Sequence, residues 1–330
     1  MKNTAILICG HGSRDDDAVA EFAALAGRMH ERLHGTPVAY GFLEFARPII
    51  RDGLEALKAG GATRILAQPA MLFAAGHVKN DLPWEINSFA AENPAISIEY
   101  GRDLAIDLKL LAAARDRIAA AEMACRTEVP RSETLLLVVG RGTHDPDANS
   151  NVSKVTRMLW EGMGFGWAET AYSGVTTPLT DAALARVARL GFRRIIVFPY
   201  FLFTGVLVKR IYAHVDAAAA ASPQIEFVKA GYLNDHPLVI DALAARIDEM
   251  TTGQNLMNCR LCKYREQIIG YEADVGALQA GHHLHVRGIG TNAGHHHHNG
   301  HGHDHDHDHD HHHDHEHGHQ HGHSHAKPRR

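Results

Sequence analysis

Met257, Cys259 and Cys262 form a Met-x-Cys-x-x-Cys run, and the chain beyond it is saturated with histidine. Seven of the 28 histidines lie before residue 281; the other 21 fall in the last fifty residues. Imidazole is a common ligand for borderline divalent metals. His295 opens a run of histidines, and His303, His305, His307 and His309 alternate with aspartate up to Asp310. That alternation has no apolar face to bury, so the tail is expected to stay disordered and to hold divalent ions. Cys259 and Cys262, beside such a segment, read as a metal or cluster site in a reducing compartment.

A second set of chemically able residues lies near the start: His11 in Cys9-Gly-His-Gly-Ser, then Glu44 and His77. Two imidazoles and a carboxylate can hold a divalent ion with open positions. To do so they must meet, which places a demand on the elements that carry them.

Those elements are legible as alternating apolar runs and helical patterns. Candidate strands are Ala5–Cys9, Pro37–Leu43, Arg64–Gln68 and Ile96–Tyr100, with helices near 17–33, 47–59, 77–91 and 104–123. The alternation predicts parallel strands with helices on both faces. In such a sheet the loops after the strands share one edge, where ligands bind. His11, Glu44 and His77 each follow a different strand, so the pattern predicts that they converge.

The second half repeats the first at an offset of 130. Ala5-Ile-Leu-Ile-Cys-Gly-His-Gly-Ser-Arg aligns with Leu135-Leu-Leu-Val-Val-Gly-Arg-Gly-Thr-His, and the register holds through Val78-Lys79 and Val208-Lys209. The fold class expected is therefore α/β: two tandem duplicated doubly wound lobes, each with a mainly parallel sheet of about four strands flanked by helices. The divisions are 1–125 for a catalytic lobe, 133–250 for a degenerate second lobe, 251–290 for the Cys-x-x-Cys segment and 291–330 for the tail. His11 becomes Arg141 in the second copy, Glu44 becomes Gly174 and His77 becomes Leu207. Positions that build the fold persist while the three able side chains do not. That asymmetry predicts one active copy and one scaffold copy.

Around the same edge Arg14, Arg47 and Lys79, with Arg141, Lys209 and Arg210 as further candidates, read as a basic rim for a polycarboxylate. A net charge of −5 gives no reason to expect nucleic acid as a partner. The Gly-x-Gly at Gly10 and Gly12 lacks the third glycine of a dinucleotide fingerprint, and no Walker A motif occurs, so no nucleotide is expected. The longest apolar run, Ile195–Val208, contains Pro199 and is too short to span a bilayer. With no evident signal peptide, the expected location is the cytoplasm, away from membranes.

These residues resemble the class II chelatases, and among them the long-form sirohydrochlorin cobaltochelatases of cobalamin biosynthesis. The resemblance runs over nearly the whole chain. It rests on the strand-Gly-His-Gly-Ser-Arg opening at His11, on Leu72-Phe-Ala-Ala-Gly-His-Val-Lys-Asn-Asp-Leu-Pro around His77, on the Met-x-Cys-x-x-Cys motif and on the histidine-rich tail. It implies a lyase that inserts Co²⁺ into sirohydrochlorin without ATP, with His11 and His77 as metal ligands and Glu44 as a proton acceptor or further ligand. It implies that Leu72, Phe73, Ala74, Ala75 and Gly76 lie along the macrocycle. Cys259 and Cys262 would hold a 4Fe-4S cluster, with zinc as the rival occupant. Two thiolates are half the usual cluster set; Cys125 could add one, and Cys9 falls in a strand expected to be buried. Short relatives are homodimers, so this chain looks like such a dimer fused into one polypeptide, itself a monomer or homodimer. Siroheme synthesis with Fe²⁺ and storage of nickel or cobalt are the alternative functions.

Overall fold

Why the strands fall where they do follows from a strict alternation of faces. A computed structural model describes residues 3–254, 269–270 and 272–278. The first lobe runs β1 (Thr4–Gly10), α1 (Asp16–Arg32), β2 (Val38–Phe42), α2 (Ile50–Ala59), β3 (Arg64–Pro69), a π-helical turn (His77–Asp81), α3 (Leu82–Glu92), β4 (Ser97–Tyr100) and α4 (Leu108–Met123). The second runs β5 (Thr134–Gly140), α5 (Pro146–Met163), β6 (Trp167–Tyr172), α6 (Thr180–Val187), β7 (Arg194–Pro199), α7 (Val206–Ala221), β8 (Glu226–Lys229) and α8 (Pro237–Thr252). Each lobe is a parallel sheet, ordered β2-β1-β3-β4 and β6-β5-β7-β8. Ile6 pairs with Val38 in the first sheet as Leu136 pairs with Ala168 in the second, so the offset of 130 extends to strand register. The peptide bonds Arg47-Pro48 and Thr177-Pro178 are both cis.

Ile6, Ile8 and Leu66 from one sheet and Leu136, Val138 and Ile196 from the other belong to a single core. Phe22 of α1, Leu110 of α4, Val155 of α5 and Leu243 of α8 join it, so these helices fill the space between the sheets. The opposite faces have separate cores: Leu7 and Ile65 against Leu54 and Phe89, and Leu137 and Ile195 against Leu184 and Ile211. Successive strand residues point to opposite sides, so a strand buried on both faces reads as a continuous apolar run. The result is five layers, with the lobes joined by a hydrophobic middle.

Two reciprocal clasps also join them. Lys79 Nζ of the first lobe lies 2.8 Å from Asp145 Oδ2 and 3.2 Å from Asp147 Oδ2 of the second. Lys209 Nζ of the second lies 2.7 Å from Asp15 Oδ2 and 2.9 Å from Asp17 Oδ2 of the first. The four aspartates sit at the starts of α1 and α5, where Asp15 and Asp145 cap the first turn and the helix dipole favours negative charge. Lys79 is buried and Lys209 is exposed, so the two clasps differ in strength.

The helix expected over 77–91 is two pieces, a π turn followed by α3 with Pro83 near its start. The Cys259–Cys262 segment lies outside the described residues, as does the tail with His295, His303, His305, His307 and His309. No described helix is long and apolar enough to cross a membrane.

Candidate metal centre

The chain turns sharply after β1, and the turn brings the first histidine to its partner. Gly12 has φ +97°, and a Cβ there would sit 1.7 Å from the Glu44 carbonyl oxygen. Only glycine lets the two loops touch. The Glu44 amide donates to the His11 carbonyl at 3.0 Å, which ties the loop after β2 to the loop after β1. His77 arrives from the loop after β3, as the first residue of the π turn. His11 Nε2 lies 3.2 Å from Glu44 Oε1, and His77 Nε2 lies 3.9 Å from the same oxygen. The three ligand atoms fall within 4.8 Å of one another. Among the described residues no other group of three His, Cys, Asp or Glu side chains is arranged this way.

The tautomers are set from behind. His11 Nδ1 is 3.1 Å from the Gly12 carbonyl, which can only accept, so Nδ1 carries the hydrogen. His77 Nδ1 donates to Asp81 Oδ2 at 2.7 Å. Both Nε2 lone pairs are thereby free to face Glu44. His11 Nε2 is buried and makes no hydrogen bond in the structure. A lone pair held without a donor suits a metal ion.

Burial, then the charges of Arg141 and His77, push the His11 pKa down to about 3. It is therefore neutral, and able to coordinate, across the physiological range. Burial lifts Glu44 above the usual carboxylate range, while His77 and Arg141 pull it back. An arriving dication would favour the carboxylate form.

The triad opens on a cavity of about 660 Å³ walled by both lobes. Phe45, Leu72 and Phe73 come from the first; Arg141, Tyr200 and Phe203 come from the second. The second lobe is therefore more than a scaffold: it supplies about half of the wall. Phe45 stacks near His11, with centroids 6.2 Å apart, and carries the Arg14 guanidinium on its ring at 4.8 Å.

Several residues of the expected rim lie elsewhere. Lys79 does not reach it, because its ammonium is buried against Asp145 and Asp147. Arg47 is outside the cavity wall and pairs with Asp52 at 3.3 Å, next to the cis bond that starts α2. Arg14 does line the cavity. Of the loop from Leu72 to Gly76, Leu72, Phe73 and Ala75 line it. Ala74 turns inward, where its amide donates to buried Asp103 at 2.9 Å, and Gly76 is not part of the wall. Cys9 is sealed in the core of β1, as expected for that strand. Cys125, half-buried, donates to the Ala121 carbonyl at the end of α4.

Sequence reasoning passed over Asp81, although its spacing of four from His77 was a usable signal on a helical turn. A carboxylate behind a ligating imidazole fixes the ring and raises its basicity. Asp81→Asn is expected to weaken Co²⁺ binding by about 10–100-fold. Isothermal titration checks this, and unchanged affinity would remove Asp81 from the site.

The tandem α/β fold presents in an interlobe cleft an imidazole–carboxylate triad with the donor set of a divalent-ion site. The CbiX family model matches residues 5–121 and again 135–250, and the chain belongs to that family. A sirohydrochlorin cobaltochelatase from Priestia megaterium is 37% identical over 79% of this chain and 84% of its own length. A sirohydrochlorin ferrochelatase from the same organism is 28% identical over 76% of this chain and 91% of its own. The sirohydrochlorin chelatase SirB of Bacillus subtilis subspecies spizizenii, solved in complex with cobalt, superposes with a TM-score of 0.65. It is 29% identical and covers 77% of this chain and 99% of that one.

Proposed function

We propose that the chain inserts Co²⁺ into sirohydrochlorin, without nucleotide hydrolysis, for cobalamin biosynthesis. The observation that carries this reading is the pair of Nε2 lone pairs facing one carboxylate at the wall of a largely apolar cleft. The 37% identical cobaltochelatase supports the choice of metal.

In the reaction Co²⁺ is a substrate. It gives up water for the Nε2 atoms of His11 and His77, which bind it through their ring lone pairs. The macrocycle then settles against Leu72, Phe73 and Ala75, with its carboxylates toward Arg14. Four pyrrole nitrogens replace the protein ligands on the ion. Two N–H bonds break, and their electron pairs form two of the Co–N bonds. One proton goes to Glu44, whose raised affinity for protons suits that task, and the other to water. Charge balances, since a dication enters the ring as two protons leave it. The protein contributes position and a proton acceptor rather than redox chemistry.

Insertion of Fe²⁺ is the second reading, favoured by the ferrochelatase relative. Imidazole suits both metals, so ligand type does not separate them. Anaerobic steady-state rates on sirohydrochlorin with Co²⁺, Fe²⁺ and Ni²⁺ are the test. The largest kcat/KM is expected with Co²⁺. A larger value with Fe²⁺ transfers the assignment to siroheme synthesis, and no turnover with any metal overturns the chelatase reading.

A further inference from the structure

Arg141 stands in the second lobe where His11 stands in the first. It follows β5 as His11 follows β1, and Gly142, with φ +83°, repeats the tight turn of Gly12. The fold therefore delivers this side chain to the cleft by the route that delivers a ligand in the other lobe. Its neighbours differ. Gly174 and Leu207 replace Glu44 and His77, so no carboxylate awaits it on its own side. Among the described residues its guanidinium has no hydrogen-bond or ion-pair partner.

Lys79 and Lys209 are held by paired aspartates and Arg47 by Asp52, while Arg14 lines the cavity from the first lobe, over the Phe45 ring. Arg141 lines the cavity wall from the second lobe and is exposed there. Its field is felt at Glu44, yet the two groups are not in ion-pair contact. An arginine fork on an otherwise apolar wall suits a carboxylate, whose two oxygens match its paired N–H groups.

The geometry points to Arg141 as a carboxylate subsite of the second lobe, which binds one acidic side chain of the macrocycle and so selects its orientation. This inference rests on the chelatase reading and deepens it. Two lobes related by duplication would offer a ring-shaped substrate two equivalent poses. A metal-donor triad on one wall and a planar, two-pronged donor on the other remove that equivalence. The same charge also disfavours a metal ion at the second-lobe position, so the ion is delivered from the first-lobe side.

The test is equilibrium binding of metal-free sirohydrochlorin to the full chain, followed by steady-state kinetics with Co²⁺. Arg141→Gln is expected to weaken binding about tenfold and raise KM similarly, with a much smaller effect on kcat. Arg141→Lys keeps the charge but loses the fork, so an intermediate loss is expected. It also serves as the readout if the glutamine variant does not fold. Arg115→Gln removes the same charge from an exposed position on α4 and should bind as wild type. Binding within twofold of wild type in the folded Arg141 variants would overturn the inference, as would an equal loss in Arg115→Gln. Wild-type protein that does not bind sirohydrochlorin would instead overturn the chelatase reading itself.

Discussion

His11→Ala and His77→Ala are each expected to lower the rate of metal insertion by about a hundredfold or more, while His144→Ala leaves it nearly unchanged. Each of the first two removes one of two imidazoles whose Nε2 atoms face Glu44. A site of three donors reduced to two holds the ion weakly and lets it dissociate before the ring arrives. The effect should appear both as weaker Co²⁺ binding and as slower insertion at fixed metal. His144 occupies the counterpart of Arg14 and is exposed, so it contributes no donor to the triad. Stopped-flow insertion assays over a range of Co²⁺ concentrations measure all three. Equal losses in the three variants would show that the two lobes do not differ in the way the triad implies.

The second large effect is expected in stability. Lys79→Met removes a buried cation that both Asp145 and Asp147 contact at the lobe interface. Breaking one partner out of a buried ion cluster costs about 3–5 kcal/mol. For a domain of this size that corresponds to a fall in Tm of about 10 °C. The triple variant Lys79→Met, Asp145→Asn, Asp147→Asn should recover most of the loss, because no charge is left uncompensated. Insertion should fall too, since Lys79 lies two residues after His77 on the same π turn. Lys209→Met breaks the reciprocal clasp, but there the ammonium is exposed and water replaces the lost partner, so little change is expected. Calorimetric unfolding separates the cases; matching Tm values for Lys79→Met and wild type would show that the buried clasp does not hold the lobes.

Much of this architecture is written locally in the chain. β1, β3, β5 and β7 are apolar runs because both faces of each central strand are buried, and such runs are visible without knowing what covers them. The duplication is visible because residue types that build the fold recur at one spacing, down to Gly12 and Gly142. The convergence of His11, Glu44 and His77 follows from parallel topology alone: each lies just after a strand, and successive parallel strands end on the same edge. Helix ends are less legible. The pattern near 77–91 hides a π turn, which does not alter apolar periodicity enough to stand out.

What the chain does not declare is which surface meets which. Lys79 has the composition of a rim residue, and its burial depends on α5 of the other lobe arriving with two aspartates 66 and 68 positions further on. Asp81, four residues after His77, is buried behind it, and that burial depends on what packs over the turn. Arg47 and Gly76 fall beside the cleft rather than in it, a matter of rotation that residue type does not encode. The second lobe looks retired when its residues are compared one by one, yet the packing of two sheets through a shared core makes it the other wall of the cavity. Residue type and spacing determine the lobes, the repeat and the three donors, since those depend on near neighbours. Tertiary packing alone decides who neutralises each charge and what faces the cleft, because ion pairs and cavity walls form between segments far apart in sequence.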